Sequence, residues 1–279
     1  MTESANRFFG LHADPPKWLR LVLALLPFVI LLSLYVTASS IRQAQNPNDK
    51  LLPPISKIIK AVEKTAFTKD KRAQTYLLWS DTLASLKRIA AGVSLAALTG
   101  FILGLNMGLL PGIRNLFLLF VTFISNIPPL AILPILFISF GVDEIGKIIL
   151  IFIGIFPLIT RDIYLAVRKI PREMIVKALT LGASEPAVAY RVVFPQVMPR
   201  LIETVRLSMG AAWLFLIAAE AIAAQSGLGY RIFLVRRYLS MDVIIVYVIW
   251  ITFLAFCADF ALKTWVAKRY GWYNPKSNT

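Results

Sequence analysis

IAAGVSLAALTGFILGLNMGLLPGIRNLFLLFVTFISNIPPLAILPILFISFGV, residues 89–142, carries one charged side chain, Arg114. A helix needs about 20 residues to cross about 30 Å of hydrocarbon. The stretch therefore holds two membrane crossings, 89–113 and 115–142, the second longer than one crossing requires. The rest of the 279 residues repeat the pattern: 58% are hydrophobic and 16% charged, against about 45–50% and about 25% in soluble domains. A mean hydropathy of +0.70 leaves more apolar surface than one water-facing shell can cover. Working outward, 21–40 is another uninterrupted span, and three more are interrupted by charge: 145–167 by Arg161 and Asp162, 207–230 by Glu220, and 243–262 by Asp259. The expected fold is all-α and polytopic, with about six transmembrane helices. No small-residue cleavage site follows 21–40, so it reads as a retained span and not as a signal peptide.

The division that follows is a tail over 1–20, a first transmembrane helix over 21–40, an amphipathic connector over 41–88, a five-helix core over 89–267 containing a loop at 171–199, and a tail over 268–279. In the connector, Ile55, Ile58, Ile59 and Val62 fall at helical spacing against Lys57, Lys60 and Lys64. This describes either a short helix on the bilayer surface or a soluble connector with one apolar side. The net charge of +15 is spread over segments between apolar runs, which suits loops at an anionic membrane surface and not a nucleic-acid groove. Total basic residues nearly balance between the two sides. The short segments decide: Arg168, Lys169, Arg172, Lys177, Lys263, Lys268 and Arg269 share a side with Lys17 and Arg20. That side is expected to be cytoplasmic, with both termini there. The lysines of 51–88 and Arg231, Arg236 and Arg237 count against it.

Within 115–142, Asn126-Ile127-Pro128-Pro129 and then Pro134 should break the helix at membrane depth, because proline removes an amide donor and clashes with the preceding turn. Broken backbone survives there only against protein or a wet cavity. Ser125, Asn126, Pro128 and Pro129 are therefore candidates for a substrate path, the alternative being a packing kink. Trp213 and Glu220 of 207–230 join them. Glu220 has no basic residue between Arg206 and Arg231, and Arg206 is about 21 Å away along a helix, so it is expected to be an unpaired carboxylate or a hydrogen bonder to another span. Asp259 and Lys263 are spaced as an i, i+4 pair. Gly100, Gly104 and Gly108 line one helix face, a packing signal. Single residues Cys257 and His12 read as an apolar filler and a tail residue. There is no phosphate loop, nucleophile elbow or zinc motif, so ATP, if used, must bind another chain.

Residues 171–184, PREMIVKALTLGAS, read as a short helix ended by Gly182, and Ser184 opens a second short helix with Glu185 and Pro186 in its first turn. Here the chain resembles the binding-protein-dependent ABC importer permeases, whose cytoplasmic loop places nine residues between a Gly and an Ile-x-Leu-Pro. Ala178, Gly182, Val192 and Phe194-Pro195 match that pattern; its Glu position is Val176, and Glu173 lies one turn earlier. Leu52-Pro53-Pro54, Thr82 to Arg88, Ile127 to Ala131, Thr180 to Ser184, Ala218-Ala219-Glu220 and Gly227 to Tyr230 are similar to the nitrate, sulfonate, taurine and bicarbonate branch. Residues 220–242 look most like a subgroup associated with urea carboxylase, for which guanidine is the implied cargo.

The resemblance implies a coupling helix that seats on an ATPase subunit, with Glu173, Lys177, Ala178, Leu181, Gly182, Ala183 and Ser184 at the contact. It implies no cofactor in this chain, with ATP and Mg on the ATPase. The implied partners are a second copy of the chain, ABC ATPase subunits, a periplasmic or lipid-anchored substrate-binding protein and membrane lipid, in a bacterial inner membrane. The competing class, an ion-gradient-driven secondary transporter, would call for an inverted repeat, and none is evident.

Overall fold

The computed structural model describes residues 16–47, 49–70 and 74–273. His12 and most of both expected tails lie outside these residues. Within them the structure is helical: α1 (Lys17–Gln45), α2 (Ile55–Val62), α3 (Leu77–Leu109), α4 (Pro111–Ser125), α5 (Leu133–Phe140), α6 (Glu144–Arg168), α7 (Arg172–Thr180), α8 (Glu185–Val188), α9 (Phe194–Ala223), α10 (Leu228–Arg236) and α11 (Met241–Arg269). Five helices are long and apolar enough to cross a bilayer: α1, α3, α6, α8 running on into α9, and α11. The sixth crossing is the bent pair formed by α4 with Pro129–Phe140, which turns by 83° at the break.

The centre of the fold is α3 against α6. Gly92 faces Ile151, Gly100 faces Ile159, Gly104 faces Ile163 and Gly108 faces Val167, always 59 residues apart (151−92, 159−100, 163−104, 167−108). A constant offset means that the helices run parallel and in register, small residues of one receiving the β-branched ridge of the other. The approach is close: a Cβ on Gly104 would sit 2.5 Å from the Thr160 carbonyl oxygen. The glycine spacing that signalled packing thus finds its partner. Ile151, Ile155, Ile159 and Ile163 are at most 1% exposed and form the core with Leu216 and Ala219 of α9.

Several boundaries move. The second crossing begins at Leu77, twelve residues before the expected 89, because Asp81, Thr82, Ser85 and Arg88 are buried inside the bundle and do not belong to a solvated connector. The fifth ends at Ala223; Leu228 and Gly229 open α10, a separate helix folded back on α9 and α11. The second loop helix does not stand alone: α8 continues through a π turn, Ala189–Val193, into α9. That turn absorbs the register change around Pro195, which lies in the first turn of α9, where proline is tolerated. Asp259 pairs with Arg206 at 3.4 Å across helices and not with Lys263. Cys257 is exposed on α11 and is not a buried filler.

The amphipathic segment of α2 divides its apolar side between two surroundings. Ala61, Thr65 and Ala66 are buried, with α2 packed on α11, while Ile55, Ile59 and Phe67 remain exposed beside the lysines. The N-terminal helix α1 has none of its apolar window buried. It is tied at its end by Tyr35 Oη donating to the Pro53 carbonyl (2.6 Å), Ser39 Oγ donating to the Leu52 carbonyl (3.0 Å) and Arg42 pairing with Asp49 (2.7 Å).

Candidate functional site

Three places concentrate polar chemistry. At one end of the bundle, Glu220 is fully buried, and its carboxylate accepts from Ser85 Oγ (2.7 and 3.0 Å), Arg88 Nη1 (2.6 Å) and the Gly229 amide (2.8 Å). It is not unpaired: its partner comes from α3, 132 residues away in sequence. Arg88 uses its remaining donors on Glu144 (2.6 and 2.7 Å) and the Ser226 carbonyl (2.7 Å). About two turns before Arg88 on α3, Asp81 accepts from the Gly227 amide (3.0 Å), Arg231 Nε (2.8 Å) and Tyr247 Oη (3.0 Å). Lys147 lies 3.5 Å from Glu144. Three cations (Arg88, Lys147, Arg231) meet three carboxylates (Asp81, Glu144, Glu220), so the cluster is neutral and its donors and acceptors are matched. It locks α10 and the starts of α3, α6 and α11 onto the end of α9. Gly227, at φ +126°, makes the tight turn that brings its own amide and that of Gly229 to these carboxylates; a Cβ there would strike the Glu220 carboxylate and the Arg88 guanidinium.

The second place is the break after α4. Ser125 Oγ and Asn126 Nδ2 both donate to the Thr122 carbonyl (2.7 and 2.8 Å), satisfying a backbone acceptor at the end of the helix. A cavity of about 520 Å³ opens beside them, lined also by Pro129, Gly154, Arg161 and Phe215; small-molecule sites span roughly 300–1,000 Å³. Ser125, Asn126 and Pro129 therefore meet at a cavity, as expected. Pro128 turns the chain just before the 3-10 segment Pro129–Ile132 and is not among the lining residues. Trp213, 4% exposed in the core, and Glu220 lie apart from the cavity. Two lining residues went unassigned in the sequence, Arg161 and Asp162, although a charged pair inside an apolar span was signal enough. Asp162 is held by Arg200 Nε and Nη2 (2.7 and 2.6 Å) and by Thr204 Oγ1. Among the described residues, Arg161 has no carboxylate within 4 Å.

The third place is the loop from α7 to α8. Gly182, at φ +86°, ends α7: its amide donates to the Leu179 carbonyl (2.9 Å) and the Ala183 amide to the Ala178 carbonyl (3.0 Å), a Schellman cap. Ser184 takes the N-cap position of α8 without a side-chain cap bond. Glu173 and Lys177 are exposed on α7, and Leu181 is 88% exposed at the tip, with Tyr190 at 73%. Apolar side chains are thus held out on a capped turn between α7 and α8.

Residues 96–270 match the family model described as "Binding-protein-dependent transport system inner membrane component". The taurine transport system permease protein TauC of Escherichia coli is 29% identical over 268 residues, covering 94% of this chain and 96% of TauC. A probable ABC transporter permease of Brucella melitensis is 36% identical over 197 residues, 69% of this chain and 80% of that one. The bicarbonate transport system permease protein CmpB of Synechococcus elongatus is 32% identical over 158 residues, 56% of each chain. Among solved structures, a chain of the MetNI methionine ABC transporter in an inward-facing conformation superposes with a TM-score of 0.62 at 18% identity, over 71% of this chain and 99% of that one. That likeness shows the shared fold. With more than half of its length matched by the family model, and with relatives that are themselves permease subunits, this chain belongs to the inner membrane components of binding-protein-dependent transport systems.

Proposed function

We propose that the chain is the channel-forming subunit of an ATP-driven importer of a small oxyanion or zwitterion of the taurine or bicarbonate kind. It would work as a pair of copies around a shared path, with separate ATPase subunits seated on the loop 171–199. The observation that carries the reading is the cavity at the break after α4, in a chain that aligns with a taurine permease over nearly its whole length. The exposed tip at Leu181 supports the ATPase contact, with Glu173, Lys177, Ala178, Gly182, Ala183 and Ser184 around it.

Orientation follows from the same assignment. If the loop is cytoplasmic, the end of α6 is too, and α3, parallel to it, also ends there. The starts of α3 and α11 and the end of α1 then lie outside, which leaves both chain termini cytoplasmic. Two of the arginines on the outer side, Arg88 and Arg231, are neutralised in the buried cluster, so they do not count against this orientation. The guanidine reading rests on the resemblance over residues 220–242, and a lone carboxylate in a span would suit such a cation. Glu220 already holds an arginine, which takes away that support.

The test is reconstitution with the cognate ATPase and binding protein in proteoliposomes, measuring ATP-dependent uptake of labelled taurine, bicarbonate and guanidinium. Uptake of taurine or bicarbonate is expected. Guanidinium uptake alone would overturn the cargo class, and failure of the ATPase to co-purify would overturn the assignment of the loop.

A further inference from the structure

We infer that Arg161 is the charge-selecting residue of the path, presenting its guanidinium to the anionic oxygens of a passing sulfonate, carboxylate or bicarbonate. The inference rests on the importer reading and names the group that would discriminate cargo by charge. Arg161 lies on α6, seven residues before its end, about 10 Å in from that end, and lines the cavity beside Ser125 and Asn126.

Charge balance singles it out. The outer cluster is neutral, with each of its ions paired. Next to Arg161, Asp162 is spent on Arg200 and Thr204, and Glu203 lies 3.6 Å from Arg200 and accepts from Tyr273. Arg200, Asp162 and Glu203 pair among themselves with a net charge of −1, and among the described residues Arg161 has no ion partner of its own. A cation inside a span is costly unless it faces protein ions or a wetted path, and Arg161 faces the cavity. Its planar fork of donors fits two oxygens of a sulfonate or carboxylate at once, which an ammonium cannot do. The neighbouring walls, Ile124, Ile153, Leu158 and Phe215, are apolar, and the other charged lining residue, Asp162, is held by Arg200 and Thr204, so the guanidinium is the unpaired charge that cargo meets there.

The local potential can be read without knowing the cargo. In the chain assembled with its ATPase, with Cys257→Ser and Ser125→Cys, modification rates would be measured for an anionic and a cationic methanethiosulfonate, each normalised to a free thiol. The anionic reagent should be favoured, and Arg161→Gln should lower the anion-to-cation rate ratio. Across about 8 Å at an effective dielectric between about 40 and 80, Coulomb's law gives a fall on the order of 5- to 30-fold. Arg161→Lys should restore most of the ratio. A ratio unchanged by Arg161→Gln would overturn the role of Arg161 and leave the path at Ser125 standing. Inertness of the Ser125 thiol in every nucleotide state would overturn the path there, and the inference with it.

Discussion

Replacing Glu220 by Gln should destabilise the protein strongly, although the two side chains have nearly the same shape. Every group facing the carboxylate is a donor: Ser85 Oγ, Arg88 Nη1 and the Gly229 amide. An amide offers one oxygen and one NH2, so whichever way it is turned, a donor is aimed at Arg88 or at the Gly229 amide. Arg88 is 3% exposed and cannot turn to water. An unsatisfied buried donor costs about 1–3 kcal/mol, and breaking a buried ion pair by removing one partner costs about 3–5 kcal/mol. For chains of this size about 2–4 °C accompany each kcal/mol, so the melting midpoint of the purified complex should fall by roughly 6–20 °C. Removing Arg88 as well, as Arg88→Met with Glu220→Leu, should recover part of the loss, a coupling of more than about 1 kcal/mol. Because Glu220 is closed off from the cavity, complexes assembled at low temperature should keep their apparent affinity for labelled taurine. A Gln variant that melts within about 1 °C of the parent, or that assembles fully and loses affinity for cargo, would refute the reasoning and return Glu220 to the path.

Three more perturbations have defined outcomes. No atom lies within 4 Å of a Cβ built on Gly182, so Gly182→Arg meets no clash and, beyond about 1–2 kcal/mol of local backbone strain at φ +86°, should leave this chain folded and act on the docked ATPase: ATPase co-purification or uptake should drop, while Gly182→Asn, which tolerates positive φ, should retain both. Normal uptake and co-purification in the Arg variant would remove the docking role. Gly104→Ala places a methyl 2.5 Å from the Thr160 carbonyl oxygen and should cost about 1–3 kcal/mol, read as a lowered melting midpoint, whereas Gly112→Ala, with open space around it, should be silent. Gly227→Ala combines an unfavourable φ with a clash against Glu220 and Arg88; limited proteolysis of the segment around α10 should accelerate, and unchanged protection would dismiss the locking role of that turn.

What was legible in the sequence was what depends on neighbours along the chain. The apolar runs marked the crossings, Asn126-Ile127-Pro128-Pro129 marked the break, and Gly182 marked the end of α7, each through local backbone or burial physics. What depends on distant partners was hidden. Asp81, Ser85 and Arg88 looked like connector because polar residues outside an apolar run usually meet water; here they are buried because Glu220, Gly227 and Arg231 supply partners across at least 132 residues of chain. The same separation made Glu220 look unpaired and gave Asp259 the wrong partner. The continuity of α8 with α9 was masked by Pro195, because proline ordinarily ends a helix; here it sits in the first turn of α9, behind a π turn. Of the candidate path, the break was visible in prolines, while Arg161 showed only as a charge in a span, with no hint of which ions around it are already matched.

The in-register packing of α3 on α6 has a mechanical consequence. Two parallel rods whose surfaces mesh at every turn cannot slide along each other without lifting a β-branched ridge over a glycine notch, so they move as one strut. One end of the strut, at Gly108 and Val167, abuts the base of the loop 171–199; the other carries Arg88 and Glu144 of the ion cluster. From Gly108 to Arg88 is about 30 Å at helical rise. Spin labels on α3 and α6 should hold their mutual distance through the nucleotide cycle while the distance from α3 to α3 of the second copy changes. A push delivered by an ATPase at the inner face would then arrive at the outer face undiminished, as displacement along a stiff lever, with no relay of side-chain rearrangements in between.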